Sequence, residues 1–83
     1  MSHGPAYVGS LLRGSITRLE NAIRFKRAIP EALSYYFAIE REALETRDKQ
    51  PTSDAWVTWL NNTLRHTKKL VLKARTQIIR EVK

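Results

Sequence analysis

The chain has 83 residues, no cysteine and a formal net charge of +7, with 42% hydrophobic and 28% charged residues. A chain this short folds as one domain at most, 1–83, and buries only about 60–65% of the surface its unfolded form exposes. No disulfide or thiolate metal site can supplement that core, and the longest apolar run, Tyr35-Tyr36-Phe37-Ala38-Ile39, is far below the ~18 residues that span a bilayer.

The charge is segregated along the chain. Residues 1–29 carry +4, residues 30–54 carry −3 and residues 55–83 carry +6. An acidic middle between two basic arms attracts polyanions, whereas solubility alone does not require the signs to be sorted. The opening Met1-Ser2-His3-Gly4-Pro5 has neither a charged n-region nor an apolar h-region. No secretion signal is expected there, and the expected location is intracellular, in the cytoplasm.

The first predicted helix covers about 6–28. Val8, Leu12, Ile16, Leu19 and Ile23 recur at steps of four and three, which puts them on one face. Gly9 and Gly14 each cost roughly 1 kcal/mol relative to Ala, so its first turns are expected to fray, with Ser10 or Ser15 as a second possible cap. Pro30 ends this helix and opens the next, because its ring disfavours helical geometry at Ile29 yet suits a first helical position, with Glu31 behind it near the positive dipole end. The second helix, about 30–47, buries Leu33, Tyr36, Phe37, Ala43 and Leu44. Asp48 to Thr52 then reads as a loop around Pro51.

The third helix, about 53–83, has the clearest pattern. Ser53 caps it and Asp54 sits in its first turn. Val57, Leu60, Leu64, Thr67, Val71, Ala74, Ile78 and Val82 form a seam with coiled-coil-like steps of three and four. At 1.5 Å per residue this helix is about 45 Å long, against about 33 and 26 Å for the other two. Two such helices would leave about a third of the seam bare, so the expected assembly is a homodimer: a small three-helix, all-α domain forming a dimeric helical bundle.

Catalysis is not expected. The two histidines stand apart, His3 near the start and His66 on the polar side of the third helix, and no HExxH, GxSxG, Gly-rich phosphate loop or ligand cluster occurs. No metal, cofactor or small-molecule substrate is implied. The cations carry more information. Arg65, Lys69, Lys73, Arg80 and Lys83, with Thr76 in the gap, form a stripe roughly opposite the seam. Such a row suits an array of phosphates, whose displaced counterions supply affinity without sequence preference. Lys68 and Arg75 lie seven residues apart on a flanking face with Leu72 and Ile79. The first helix adds Arg13, Arg24 and Arg27 on a face away from its apolar stripe, with Arg18 and Lys26 to the sides, Glu20 interrupting the row, and Thr17 and Asn21 as possible partners for phosphate or ribose. Trp56, Trp59, Tyr35, Tyr36 and Phe37 stand apart from the basic row in sequence and read as core. That favours shape-and-phosphate recognition of a duplex over base stacking.

The stretch Lys68-Lys69-Leu70-Val71-Leu72-Lys73-Ala74-Arg75, with Asn61 seven residues upstream, resembles the central helix of the nodavirus-type suppressors of RNA silencing. Those are small dimeric helical viral proteins in which two long helices per chain build an antiparallel four-helix dimer along double-stranded RNA. The resemblance implies that Lys68 and Arg75, with Lys69 and Arg65, contact RNA. The segment Leu11-Leu12-Arg13-Gly14-Ser15-Ile16-Thr17-Arg18-Leu19 is similar to helices near the start of some retroelement capsid polyproteins, which implies assembly instead. The expected function is therefore sequence-independent double-stranded RNA binding by a non-catalytic protein. Two alternatives stand beside it: a helical protein-interaction or self-assembly module with incidental charge, and a membrane-surface helix with Trp56 and Trp59 at one end.

Overall fold

Three helices account for nearly all of residues 4–82, which the computed structural model describes: α1 Pro5–Phe25, α2 Ile29–Lys49 and α3 Asp54–Val82. The protein is an all-α three-helix domain with a long C-terminal helix, as the periodicities predict. Residues 1–3 and 83, and the side chain of Val82, lie outside the described residues; His3, Lys83 and the last seam position fall there.

Local chemistry explains most boundaries. Pro5 starts α1, and the Val8 N–H bonds to the Gly4 carbonyl at 3.1 Å. The helix runs unbroken through Gly9 and Gly14. Ser15 is no second cap. It faces the core, fully buried, and its hydroxyl donates to the Leu12 carbonyl at 2.8 Å. Contrary to expectation, α1 stops at Phe25. Lys26 turns left-handed (φ 55°), and the Arg27 N–H closes back on the Ala22 carbonyl at 3.0 Å, the bonding of a Schellman cap. Ala28 is left-handed as well (φ 52°), and α2 begins at Ile29, with Pro30 inside its first turn. Ser53 caps α3 as predicted: its side-chain oxygen accepts the Trp56 N–H at 3.1 Å.

The short turn at residues 26–28 folds α1 and α2 into an antiparallel hairpin, and α3 lies along it. Trp56 donates from Nε1 to the Pro5 carbonyl at 3.0 Å, so α3 runs parallel to α1. Arg47 donates to Asn61 Oδ1 at 2.9 Å while Arg75 covers Phe37, so α3 runs antiparallel to α2. Gly9 packs against both indoles, and a Cβ there would meet Trp56 Nε1 at 3.4 Å and the Trp59 ring at 3.5 Å, ordinary van der Waals contact.

The core lies between the three helices. Val8, Leu12 and Leu19 of α1, Ile29, Ala32, Tyr36 and Ala43 of α2, and Leu60 and Ala74 of α3 are almost completely buried. Its polar members are satisfied locally: Thr46 donates to the Glu42 carbonyl at 2.9 Å and Thr67 to the Thr63 carbonyl at 2.7 Å. The Tyr36 hydroxyl donates to Glu40 Oε2 at 2.7 Å, and among the described residues no buried side-chain N or O lacks a partner.

The seam of α3 differs from expectation in what covers it. Leu60 and Ala74 are buried, and Val57, Leu64, Val71 and Ile78 are half-buried, all within one chain. The physical reason is length. With 21 residues each, α1 and α2 reach about 31 Å. α1 starts level with Trp56 and still borders α3 at Gln77 through Ile23. No seam position from Val57 to Ile78 is exposed in the single chain. Among the described residues the large apolar side chains left outside on α3 are Leu72 and Ile79, 63% and 61% exposed.

Candidate nucleic-acid interface

The surface opposite the core is built by α3 first. All six of its predicted contact residues, Arg65, Lys68, Lys69, Lys73, Arg75 and Arg80, are exposed, and so are Arg13 and Arg24 of α1. A straight helix from Arg65 to Arg80 spreads these cations over about 22 Å. Among the described residues none of them forms an ion pair. Among the described residues the ion pair is Arg47 Nε to Asp48 Oδ1 at 3.0 Å, at the far end of α2, and Glu81 is the lone acid of α3 after Asp54.

The fold divides the eight residues between two flanks. Lys73 and Arg80 border a groove of about 370 Å³ with Leu72, Thr76, Gln77 and Ile23 of α1. Arg13 stands farther along the same α1/α3 side, its guanidinium 4.9 Å from the Trp59 ring centroid. Arg65 and Lys69 occupy the ridge between the flanks, since their spacing puts them opposite the buried Leu60, Thr67 and Ala74. Arg75 points the other way. It stacks 5.5 Å over Phe37 and borders a groove with Glu40, Arg41, Leu44, Glu45 and Asp48 of α2. Lys68, seven residues earlier, shares that flank. The two positions singled out by the suppressor resemblance thus lie beside the acidic helix. Arg24, near the end of α1, stacks 5.4 Å over the exposed Phe25.

No protein-family model, curated protein or solved structure matches this chain.

The aromatic residues do not all sit where sequence order places them. Tyr36 is core and Phe37, Trp56 and Trp59 are half-buried, but Tyr35 is 37% exposed, with Arg18 over its ring at 5.2 Å. Four arginines, at positions 13, 18, 24 and 75, face aromatic rings. Only the Arg24–Phe25 pair is adjacent in sequence; the others join different helices, which no local pattern announces. Such stacking fixes the guanidinium plane while leaving its N–H edges to bind a phosphate. His66 is exposed and bonds through Nδ1 to the Asn62 carbonyl at 2.7 Å. No helix is long and apolar enough to cross a membrane, and no group of three metal-ligating side chains occurs among the described residues.

The site can therefore do one thing well. It presents fixed positive charge along a rigid rod, flanked by a shallow groove and by hydroxyls at Thr76 and Thr17.

Proposed function

We propose that this protein is a non-catalytic nucleic-acid-binding module that holds double-stranded RNA, without reading its sequence, along the ridge of α3 and its α1 flank. One observation carries the reading: Arg65, Lys69, Lys73 and Arg80 form an exposed row on one helix, without an ion-paired carboxylate among the described residues. A row of this kind gains affinity by releasing counterions from phosphates. Duplex RNA fits better than single strands because the aromatic rings nearest the row are occupied by arginines or half-buried, leaving no open platform for bases. RNA is favoured over DNA by its shallow minor groove with 2′-hydroxyls, suited to the exposed Thr76 hydroxyl beside the row.

The test compares labelled duplex RNA, duplex DNA and single strands of several sequences by gel shift at low salt. Duplex RNA bound most tightly, with little difference between sequences, is the expected result. Absence of any shift at low salt would leave the second reading, a helical protein-interaction module, which draws on the exposure of Leu72 and Ile79.

A further inference from the structure

The end of α1 and the start of α2 enclose a hollow of about 220 Å³ to which α3 contributes no residue. Ala22, Ala28 and Ala32, from the two helices and the turn between them, line it where longer side chains would fill it. Its polar lining is Arg18, Asn21 and Arg27: two guanidiniums, which only donate hydrogen bonds, and one amide. No carboxylate lines it, and neither arginine forms an ion pair among the described residues; Glu20 and Glu31, the acids nearest in sequence, stand outside the lining. Both arginines are anchored. The Arg18 guanidinium stacks 5.2 Å over the Tyr35 ring, which fixes its plane and leaves N–H edges for an anion. The Arg27 N–H closes on the Ala22 carbonyl at 3.0 Å, which fixes the backbone that carries the second guanidinium. The volume is below the ~300–1,000 Å³ of pockets that enclose whole small molecules, so one charged group and the start of its carrier fill it.

We propose that this hollow binds the phosphate of a nucleoside monophosphate, free or at the end of a strand, between Arg18, Asn21 and Arg27. Chemistry selects the ligand. A phosphate monoester near neutral pH carries close to two negative charges and three strong acceptor oxygens. Two guanidinium forks and an amide match that set, whereas a planar carboxylate is satisfied by one fork and leaves the second cation unmatched. Phe25 selects the carrier. It lines the same hollow, is 61% exposed, and has the Arg24 guanidinium 5.4 Å from its ring centroid. A flat base or a sugar that covers the rest of this ring gains apolar contact that inorganic phosphate cannot make. The inference does not rest on the duplex reading, because the ridge of α3 takes no part in the hollow.

The experiment follows the amide chemical shifts of the whole isotope-labelled chain during titration with adenosine 5′-monophosphate, adenosine and inorganic phosphate. The nucleotide should shift amides within residues 18–32 and saturate below about 10 mM. Inorganic phosphate should bind the same residues several-fold more weakly, and adenosine should not bind. Arg18→Gln and Arg27→Gln, both at exposed positions, should keep the helical circular dichroism and each weaken the nucleotide roughly tenfold, the loss of a charge-assisted hydrogen bond. Phe25→Ala should weaken the nucleotide but not inorganic phosphate. Lys49→Gln removes the same charge at the far end of α2 and should change nothing. A short single strand of RNA distinguishes the two sources: tighter binding with a 5′-phosphate than with a 5′-hydroxyl assigns the site to strand ends, and equal binding assigns it to free nucleotides. Absence of any shift at 10 mM overturns the proposal. So does adenosine binding as well as its monophosphate, a set of shifts confined to the α3 row, or equal losses for Arg27→Gln and Lys49→Gln.

Discussion

Lys73→Ala tests the assignment of the α1 flank most directly. Lys73 is exposed, borders the α1/α3 groove and has no ion-paired carboxylate, so removing its charge disturbs no described contact. If Arg65, Lys69, Lys73 and Arg80 each neutralise one phosphate, log affinity should fall against log salt with a slope of about −3.6. Between 50 and 200 mM salt that is a loss of roughly 150-fold. Without Lys73 the slope should be about −2.7 and the loss roughly 40-fold. Fluorescence anisotropy on two duplex RNAs of unrelated sequence, at four salt concentrations, measures both, and the change should be the same for the two sequences. Lys49→Ala is the matched control. Lys49 is exposed beside Asp48 at the end of α2 and should leave the slope unchanged. Arg47 is a poorer control, because its bonds to Asn61 and Asp48 tie α2 to α3. Equal changes of slope for Lys73→Ala and Lys49→Ala would refute the assignment and show that net charge alone binds.

Three further outcomes follow from the fold. Ala28→Gly should stabilise the protein by about 0.5–1 kcal/mol, because a left-handed residue with a Cβ costs about 1–2 kcal/mol and glycine returns part of that as unfolded-chain entropy; a melting temperature that does not rise by a few degrees contradicts this. Val71→Asp should remove the helical circular dichroism at every protein concentration, since Val71 packs inside one chain; folded monomers after this change would mean that the seam is an intermolecular contact. The Tyr36 hydroxyl is pushed above its ordinary value, by burial first and then by the Glu40 carboxylate, with Thr67 acting weakly the other way. Its folded value exceeds its unfolded value of about 10, so its contribution is complete below about pH 10 and is lost as pH rises beyond. Tyr36→Phe should cost about 1 kcal/mol at pH 7 but lose stability less steeply than wild type between pH 9 and 11, as read by urea titration; parallel losses would contradict the reasoning.

What the sequence disclosed depended on whether the cause was local. The start of α3 was legible to within one residue because a serine cap and a regular seam announce it. The end of α1 was not, because its turn is made by Lys26 and Ala28 in a conformation that glycine normally signals. Ser15 reads as a cap from its type, but it lies on the same stripe as Leu12 and Leu19, and its own hydrogen bond to Leu12 makes burial tolerable. Ile29, Ala32 and Ile39 complete the buried face of α2, which the pattern of larger residues did not reveal. Periodicity gave the buried face of α3 correctly, yet it carries no information about which chain covers that face. For the candidate site, exposure of the eight cations followed from helical phase alone. Their division into two flanks did not, because it depends on which neighbour lies on each side of α3.

That division is what turns charge sorted along the chain into charge sorted over the surface. α3 sits between its two neighbours, so its cations are continued by Arg13 on one flank and met by Glu40, Glu45 and Asp48 on the other. A polyanion nearing the α2 flank meets carboxylates at the height where Lys68 and Arg75 would attract it. On the α1 flank Glu20 is the only acid of the helix, and the field has one sign over most of its length. Steering by such a field orients a duplex before contact. The acids of α2 thereby give the two flanks of α3 different fields, mixed in sign on the α2 side and mainly positive on the α1 side. A chain with the same +7 spread evenly over its helices would present a similar field to a polyanion on every side.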